Sequence, residues 1–404
     1  MKSEKSWGRL GMKSEWTLST IGDVCLLVTD GSHFSPKSVE NGEPMVSVKD
    51  FTPYGFDFSS CRKISDTDYA TLKKNGCVPE VEDILIGKDG ARYFEDIIIY
   101  RQNERPALLS SIAILRCDKS KILPDYLYYI LRTPFFRKNV KDNYGSGSAI
   151  PRIILKDFKR MPICYPSIKH QKEIISILVA LDQHIMTNQK INDNLKQQAS
   201  ALFKSWFIDF KQVPNCDFVN SEIGLIPNDW RVYKLSDFLP VITGKKNANV
   251  SSDKGAYPFF SCSQGISWTN DYSFDGHAIL VAGNGDFNVK WYNGKFDAYQ
   301  RTYVLIPYNK RFTSWLYYAV KYNLFNITSA ARGSVIKFIT KGNLENFAFA
   351  GPKDLDSLDV IDTFTTINHT IDKKTQENYR LSALRDALLP KLMSGEIDIS
   401  AVQF

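Results

Sequence analysis

Two short stretches of the sequence hold residue types from which enzymes build active sites. AGNGD at 282–286 follows an apolar run, as the phosphate-binding or methyl-donor loop of a nucleotide-dependent enzyme does. Asp125 after Pro124, followed later by Asp157 and Lys159, loosely matches the carboxylate pattern of a magnesium-dependent nuclease. A lone GxG is a weak signal, however, and neither stretch brings a nucleophile together with a base.

Motifs of established catalytic chemistry are missing from the sequence. It has no [ND]PP[YF], which amino-methyltransferases use to hold a flipped base, and no GxxxxGK[ST], which indicates an ATP-driven motor. The seven cysteines lack a CxxC pair and the five histidines lack HExxH, which favours reduced thiols over disulfides or a zinc site. We therefore predict no metal and no catalytic residues in this chain.

Positive charge is concentrated in two stretches that occupy the same place in an internal repeat. The net charge is +7; residues 132–160 hold eight Lys or Arg against two acids, and 310–341 hold six against none. Such stretches favour a polyanion, because Lys and Arg that neutralise phosphates release condensed counterions. Two solvated surfaces are the alternative. The basic residues are Arg132, Arg137, Lys138, Lys141, Arg152, Lys156, Lys159 and Arg160, then Lys310, Arg311, Lys321, Arg332, Lys337 and Lys341.

The length and composition indicate a folded protein of more than one domain. The chain has 404 residues, of which 43% are hydrophobic and 13% aromatic, so it can bury substantial cores. No run approaches the roughly 20 apolar residues that span a bilayer, and no leader with a cleavage site opens the chain. We expect a soluble cytoplasmic protein without a membrane partner.

The internal repeat extends through both halves. GSGSAIPRI at 145–153 is matched by RGSVIKFI at 332–339, with Gly147 on Gly333 at an offset of 186 residues. Each half opens with W-x4-[IL]-x-D, from Trp16 and from Trp230, and then holds an apolar run with a glycine tip, ILIGKDG or ILVAGNG. These runs predict strands, whereas YLYYIL and WLYYAV predict buried aromatic helices packed on the sheet.

The repeat argues against the catalytic interpretations. The tip of AGNGD has GKDG as its counterpart, so a duplicated turn explains it better than a nucleotide loop does. Ser314 and Asn343 stand where the first copy has Asp125 and Asp157. A carboxylate pair found in one copy of a structural repeat does not indicate a magnesium site.

Each half ends in a long helix with a coiled-coil pattern. Apolar and small positions step by four and three over more than four heptads in each copy. At 1.5 Å per residue, helices of roughly 40 residues extend about 60 Å. The first seam is Ile174, Leu178, Leu181, Ile185, Asn188, Asn192, Leu195, Ala199, Leu202 and Trp206; the second is Val360, Phe364, Ile367, Ile371, Lys374, Asn378, Leu381, Arg385, Leu388 and Leu392.

Both seams are polar at their centres. In a symmetric antiparallel pair, Asn188 faces Asn378 and Asn192 faces Lys374, so the polar layers meet. Buried polar layers lower stability but fix the register of two helices. Parallel pairing matches the layers equally well. Two helices packed separately on their own domains, and a seam between two chains, are further alternatives.

This order of parts resembles the specificity (S, or HsdS) subunit of type I restriction-modification systems over essentially the whole chain. The resemblance rests on DGSHFSPKSVENGEPMVSVKD at 30–50, ILIGKDG at 84–90, GSGSAIPRI, YPSIKHQKEI at 165–174 and LLPKLMSGEI at 388–397. The family's P-x3-EQ-x-x-I keeps Pro166 and Ile174 but has His170-Gln171 in place of EQ. The second copy, GPKDLDSLDVI, lacks the Gln, which leaves the start of its helix open.

The resemblance implies an α/β (mixed α+β) fold with two pseudo-symmetric target-recognition domains joined by two long helices that form an antiparallel coiled coil. The expected segments are recognition domain 1 at 1–165, a central spacer helix at 166–212, recognition domain 2 at 213–350, and a distal spacer helix with a C-terminal tail at 351–404. Each domain would read half of a bipartite target in double-stranded DNA, and the helices would fix the unread spacer.

The resemblance also implies partners. Two methyltransferase (M) subunits and further restriction (R) subunits would assemble with this noncatalytic chain. S-adenosylmethionine, ATP and Mg²⁺ would be bound by those partners and not by this chain.

Candidate DNA contacts lie on loops, because base edges need donors and acceptors whereas phosphates need Lys, Arg, Ser and backbone amides. For each candidate, an exposed solubilising residue is the alternative. In the first domain they are Ser32, His33, Lys37, Lys88, Arg92, Ser146, Ser148 and Arg152; in the second they are Lys245, Lys246, Asn247, Gln264, Asn284, Asn288, Arg332, Ser334 and Lys337. Asn188, Asn192, Lys374 and Asn378 are the candidates for setting the coiled-coil register.

Two other functions fit the same features. One is a solitary repressor-like DNA-binding protein, and the other is a coiled-coil scaffold whose basic stretches serve solubility or RNA. Salt-dependent binding to a defined duplex, with and without an M subunit, separates the three.

Overall fold

A computed structural model describes residues 16–145, 151–213, 217–329 and 337–397. The chain divides into two compact units. Unit 1 consists of Met1–Ile185 and Tyr379–Phe404, and unit 2 consists of Met186–Asn378. Both boundaries fall within long helices, so each unit includes part of both.

Unit 1 is built on a four-stranded antiparallel sheet with the order β2-β10-β7-β8. A second sheet, β6-β3-β9, and the pairs β1-β11 and β4-β5 complete its strands. The strands are β1 (Thr17–Thr20), β2 (Cys25–Asp30), β3 (Glu43–Val46), β4 (Phe51–Thr52), β5 (Gly55–Phe56), β6 (Arg62–Ile64), β7 (Ile84–Gly87), β8 (Ile97–Ile99), β9 (Ala107–Leu108), β10 (Ile112–Cys117) and β11 (Pro162–Tyr165).

The helices of unit 1 cover one face of this sheet, apart from α2 (Asp66–Lys74), which packs against the second sheet. They are α1 (Ile21–Val24), α2 (Asp66–Lys74), α3 (Pro124–Arg132), α4 (Pro134–Asn143), α5 (Leu155–Arg160) and the first part of α6 (Ile168–Phe207). Pro124 occupies the first turn of α3, where a missing N–H costs nothing, and Thr133 caps α4 by accepting from Phe136 N at 3.2 Å. The YLYYIL segment is the buried helix that its sequence predicted, with Tyr126 in the core.

Unit 2 has a larger sheet, in which six strands follow the order β15-β20-β18-β19-β16-β17. All its neighbours are antiparallel except β16 and β19, which are parallel. The pairs β12-β13 and β14-β21 are separate. The strands are β12 (Phe218–Ser221), β13 (Gly224–Pro227), β14 (Trp230–Lys234), β15 (Val241–Thr243), β16 (Tyr257–Phe260), β17 (Ser267–Thr269), β18 (Phe274–Ala282), β19 (Val289–Ala298), β20 (Thr302–Leu305) and β21 (Ala348–Pro352).

The helices of unit 2 repeat the arrangement of unit 1. They are α7 (Thr313–Tyr322), α8 (Leu324–Ser329), α9 (Lys341–Glu345), the end of α6 and most of α10 (Val360–Ser394). WLYYAV lies within α7, and Trp315 is fully buried among aromatic rings that include Phe207 and Phe349. The predicted strands at ILIGKDG and ILVAGNG are confirmed as β7 and the end of β18.

The long helices run antiparallel within each unit. In unit 1, Asp182 on α6 contacts Arg385 on α10, with 2.6 Å between carboxylate and guanidinium. In unit 2, Asn188 donates to Asn378 Oδ1 at 3.0 Å. The residue number of the contacting residue rises along α6 from 182 to 188 and falls along α10 from 385 to 378, as antiparallel pairing requires. The predicted fold, two repeated α/β domains with a paired helix from each half, is therefore observed.

The central polar layer differs in detail from the predicted pairing. Asn188, only 1% exposed, donates to Glu377 and Asn378, and its Oδ1 accepts from Lys374 Nζ at 3.0 Å. Asn192 lies opposite Thr375, to which it donates at 3.2 Å. Lys374 therefore reaches Asn188 instead of Asn192, because its long side chain extends along the seam to the more buried acceptor.

Near the end of α6, the buried positions lie one residue after the predicted seam positions. Phe203 and Phe207 are more deeply buried than the predicted Leu202 and Trp206. An α-helix with 3.6 residues per turn drifts relative to a 3.5-residue repeat, and here the aromatic core of unit 2 draws in the adjacent positions.

The two long helices also begin differently. At the 186-residue offset Ile168 corresponds to Asp354, yet α10 begins at Val360. Within the described ranges, no helix combines the length and the hydropathy needed to cross a membrane.

Candidate nucleic-acid interface

Four segments of unit 1 meet beyond the ends of β2 and β7, and we call them loop cluster 1: residues 31–37, 88–92, 109–111 and 151–153. Backbone hydrogen bonds hold them together. Ser32 N donates to Leu108 O at 2.7 Å, and Lys88 N donates to Ser111 O at 2.9 Å. The last segment closes the cluster, since Ile153 N donates to Lys88 O at 3.0 Å.

Unit 2 builds the same network from a different sequence. Loop cluster 2 consists of residues 244–247, 283–288, 299–301 and 337–339. Lys246 N donates to Ala298 O at 3.3 Å, and Gly283 N donates to Arg301 O at 2.8 Å. Ile339 N donates to Gly283 O at 3.0 Å, which is the counterpart of the bond from Ile153 to Lys88. Isolated β-bridges also correspond, with Asp89 opposite Arg152 in unit 1 and Asn284 opposite Phe338 in unit 2.

Two glycine positions explain why both copies keep this geometry. A Cβ on Gly31 would lie 2.3 Å from Leu108 O, and one on Gly244 would lie 2.3 Å from Ala298 O, so neither position accepts a side chain. At the loop tips, Gly90 and Gly285 have φ angles of +92° and +70°, a region that favours glycine.

Several polar candidates of cluster 1 are committed to partners within the protein. Lys88 is 6% exposed, and its Nζ lies 3.3 Å from Asp30 Oδ2 and 3.6 Å from Asp89 Oδ1. Ser32 is also buried, and its hydroxyl donates to Phe34 O and accepts from Phe34 N. Both residues therefore shape the loops and present little of themselves to a ligand.

Other candidates of cluster 1 are exposed. The His33 ring lies on the surface with Nε2 3.4 Å from Asp30, and Lys37 is exposed in the same loop. Arg92 is exposed and donates to Asp96 at 2.8 Å, a hydrogen bond that raises the pKa of the guanidinium. Arg152 is exposed in the closing segment. These four are positioned where a polyanion could reach them.

Cluster 2 divides in the same way. Asn288 is buried, and its amide donates to Cys262 O at 2.9 Å and to Asp286 O at 2.7 Å. Asn284 is half-buried in its β-bridge. Gln264, in a neighbouring loop, is exposed but donates to Asp286 Oδ2 at 2.7 Å. Asn288 therefore maintains the tip, whereas Gln264 can exchange its partner for a ligand at the surface.

The cationic candidates of cluster 2 lie on its outer side. Lys245 is exposed, with its Nζ 5.2 Å from the centre of the Phe274 ring. Lys246 is half-buried and its backbone bridges to Tyr299, whereas Asn247 and Lys337 are exposed. Ser146, Ser148, Arg332 and Ser334 lie outside the described residues, as do Gly147 and Gly333.

The structure adds residues that the sequence did not single out. Asp30 joins His33 and Lys88, and Lys290 donates to Ser263 O at 2.6 Å and to Asn288 Oδ1, while burial lowers the pKa of its ammonium group. Phe34 and Phe338 are exposed on the two clusters. A bulky aromatic residue within a polar glycine-serine turn was the signal for Phe34, whereas nothing in the sequence pointed to Lys290.

The basic stretches are only partly available to a ligand. Lys141 contacts Glu95 at 3.1 Å, Lys341 contacts Glu345 at 3.2 Å, and Arg160 is paired with Asp157. Arg311 binds Asp362 at 2.9 Å and the carbonyl groups before α10. In the described part of the chain, no three His, Cys, Asp or Glu side chains come together as a metal site.

Comparison with known proteins identifies the relatives of this chain. A model of the type I restriction modification DNA specificity domain matches residues 13–197 and again 227–377. The type I restriction enzyme EcoDI specificity subunit of Escherichia coli is 36% identical over 178 residues, which span 43% of this chain and 40% of that protein. The putative type I restriction enzyme MjaX specificity subunit of Methanocaldococcus jannaschii is 23% identical over 95% of this chain and 94% of its own length.

A solved structure agrees with these matches. The S subunit of a type I restriction-modification system from M. genitalium superposes with a TM-score of 0.60 at 15% identity, covering 95% of this chain and 96% of that one. At this identity the similarity concerns the fold alone. Because the family model matches both repeated halves, the chain belongs to the family of type I restriction-modification DNA specificity proteins.

Proposed function

We propose that this chain is the noncatalytic specificity subunit of a type I restriction-modification complex and that it binds a bipartite DNA target. Each loop cluster reads one half-site. The observation that carries the proposal is the duplicated loop network: two sequences with different side chains keep the same backbone hydrogen bonds beyond the same strands. A conserved scaffold with variable side chains is what two readers of two different half-sites require.

The long helices serve as the spacer between the half-sites in this proposal. The buried Asn188 amide is satisfied by three side chains on α10, and a shift by one heptad would break all three bonds and place it opposite Ile371 or Arg385. Such a layer fixes the register of the pair and with it the number of unread base pairs.

Partners supply the chemistry. Two M subunits bind S-adenosylmethionine and methylate adenine, and R subunits bind ATP and Mg²⁺ for restriction. The chain contributes the sequence preference, and its exposed Lys and Arg neutralise DNA phosphates, which makes the affinity fall as salt rises.

Methylation by reconstituted complexes is the direct test. The chain is purified with and without its M subunits and incubated with S-adenosylmethionine and genomic DNA, and methylated adenines are mapped by sequencing. We expect methylation at one bipartite sequence only when both components are present. Methylation by this chain alone would contradict the noncatalytic role, and binding to a single contiguous site without M would favour a solitary repressor.

A domain exchange tests the division of labour. Replacing residues 1–165 with the corresponding domain of a relative of different specificity is expected to change one half of the methylated sequence and leave the other unchanged. A change in both halves would show that the domains do not read independently.

Insertion of one heptad into α6 tests the spacer. We expect the required number of unread base pairs to change, or methylation to be abolished, and insertion of a matched heptad into α10 as well to restore a defined target. An unchanged spacer after a single insertion would contradict the role of the helices.

A further inference from the structure

Each loop cluster carries an exposed phenylalanine, and the two come from different segments. Phe34 follows β2 in cluster 1 and is 65% exposed. Phe338 lies in the closing segment of cluster 2 and is 40% exposed. The position equivalent to Phe338 in cluster 1 is Arg152, so the closing segment carries an apolar side chain in cluster 2 and a cationic one in cluster 1.

Both rings are held outward by the backbone. The Ser32 hydroxyl donates to Phe34 O at 2.6 Å and accepts from Phe34 N at 3.0 Å, which fixes the residue on both sides. Phe338 is held by its bridge to Asn284, and the next residue, Ile339, is buried. Because side chains alternate along extended chain, burial of Ile339 directs Phe338 to the outer side.

Several of the neighbouring polar groups are engaged within the protein, and the exposed Lys and Arg side chains are suited to phosphates. Lys88 faces Asp30 and Asp89, Asn288 binds two backbone carbonyl groups, and Gln264 binds Asp286. The ring is therefore a prominent group that each cluster offers to a base edge. On the base edges of the major groove, the one apolar group is the C5-methyl of thymine, and phenylalanine is among the side chains that contact it.

We propose that Phe34 and Phe338 each contact a thymine methyl group in the half-site read by their own cluster. The inference rests on the proposed function and adds one base-specific contact to each half. For Phe338, insertion between base pairs is the less favoured alternative, because more than half of its surface is covered and a wedge must project its whole ring.

Removal of single methyl groups from the DNA tests this contact. In the target duplex established by methylation mapping, each thymine is replaced in turn by deoxyuridine, and affinity for the complex with M subunits is measured by fluorescence anisotropy. For the unmodified protein we expect about a three- to fivefold loss at one thymine of each half-site, which corresponds to one buried methyl group.

The variants then assign each methyl group to a ring. Phe34→Ala is expected to abolish the deoxyuridine effect in one half-site only, and Phe338→Ala in the other only. Phe34→Leu keeps an apolar side chain and is expected to retain part of the effect. Phe325→Ala on α8 and Leu26→Ala on β2 remove comparably exposed side chains, 81% and 71%, from outside the clusters and are expected to leave both effects unchanged.

Several outcomes would overturn the inference. One is persistence of both deoxyuridine effects in the two Ala variants, and another is a half-site without any T·A pair. If an Ala variant lost affinity equally for the thymine duplex and for the deoxyuridine duplex, the ring would be inserted between bases instead. Failure of the proposed function itself is distinguishable, because the unmodified complex would then show no preferred duplex at all.

Discussion

Tyr129 in unit 1 and Tyr318 in unit 2 occupy equivalent places on α3 and α7, but their hydroxyl groups have different partners. Tyr129 donates to Asp182 on α6 at 2.7 Å, whereas Tyr318 donates to Asn368 on α10 at 2.9 Å. Asp182 and Asn368 are related by the 186-residue offset. The repeat has kept the hydrogen bond and replaced a carboxylate with an amide.

The charge of Asp182 has required a second change. Arg385 on α10 donates to its other oxygen at 2.6 Å, and burial, which lowers the pKa of this guanidinium, is outweighed by Asp182 and Asp386, so the pKa is raised. At the equivalent position unit 2 has Ala199, which is fully buried and needs no partner. A neutral acceptor allows an apolar neighbour, whereas a partly buried carboxylate is stabilised by a cation.

The starts of the two long helices differ in the same way. Gln171, with no exposed surface, accepts from Leu123 N and donates to Lys121 O and Pro166 O, all at 2.9–3.0 Å. In unit 2 the connection runs in the opposite direction: Arg311, ahead of α7, reaches Asp362 and the backbone before α10. The packing geometry is therefore the same in the two copies, whereas the groups that satisfy it differ.

The largest difference between the units in the effect of a substitution on stability is expected at the starts of α6 and α10. Gln171→Ala leaves three backbone groups of unit 1 without their partner and should lower its free energy of unfolding by about 3 kcal/mol. Arg311→Ala removes a half-exposed ion pair and should cost about 1 kcal/mol in unit 2. Hydrogen–deuterium exchange with mass spectrometry reports each unit separately. His170→Ala is the neighbouring control, and equal costs for Gln171→Ala and Arg311→Ala would contradict the comparison.

The next largest effect on stability is expected when Asp182 and Arg385 of unit 1 are replaced by the residue types at the equivalent positions of unit 2. Asp182→Asn should cost about 2 kcal/mol, because Arg385 loses its closest carboxylate but keeps Asp386. Adding Arg385→Ala, to match Ala199, should recover about 1 kcal/mol, since the guanidinium that lost its closest carboxylate is then removed. The double-variant cycle is measured by hydrogen exchange in α3 and α6. Strictly additive costs would show that the two residues do not act as a pair.

Removal of the two tyrosine hydroxyl groups compares an ionic with a neutral acceptor directly. Tyr129→Phe should cost about 1.5 kcal/mol because Asp182 is charged, and Tyr318→Phe about 1 kcal/mol because Asn368 is not. In the Asp182→Asn background the cost of Tyr129→Phe should fall to that of Tyr318→Phe. A larger cost in unit 2 would reverse the interpretation.

The smallest expected difference is in pH dependence. In unit 2, His277 lies against Trp291 and His369, and burial, together with His369 and Lys310, lowers its pKa. The unfolded chain then binds a proton more readily, so the stability of unit 2 is complete above about pH 6.5 and declines as the pH falls below it. Thermal unfolding followed by tryptophan fluorescence measures this, because five of the seven tryptophans lie at 206–315.

The control for this prediction is His277→Gln, which should flatten the decline below about pH 6.5. Hydrogen-exchange rates of unit 1, corrected for the intrinsic effect of pH, should not show this decline in stability. If the stability of unit 2 still declined in the same way after His277→Gln, another group would be responsible.

Much of the architecture could be predicted from the sequence, and particular elements show why. The apolar run ending in GKDG became β7 and its tip, and YLYYIL became α3, because each element buries a contiguous set of side chains that lie close in sequence. The seam of α6 was readable for the same reason, since its spacing follows the helix itself. The roles of Lys88, Ser32 and Asn288 were not, because their partners come from other parts of the chain.

By itself the sequence determined the two-copy organisation, the long helices and their polar centre, because these follow from periodicity and from a constant offset. The tertiary structure alone decided which polar residues of the loops bind partners within the protein and which face outward. Asp30 and Lys88 meet only because β2 and β7 lie on either side of β10 in one sheet, and Phe338 faces outward only because Ile339 is drawn into the core. Burial and long-range pairing depend on the assembled fold, and no local pattern encodes them.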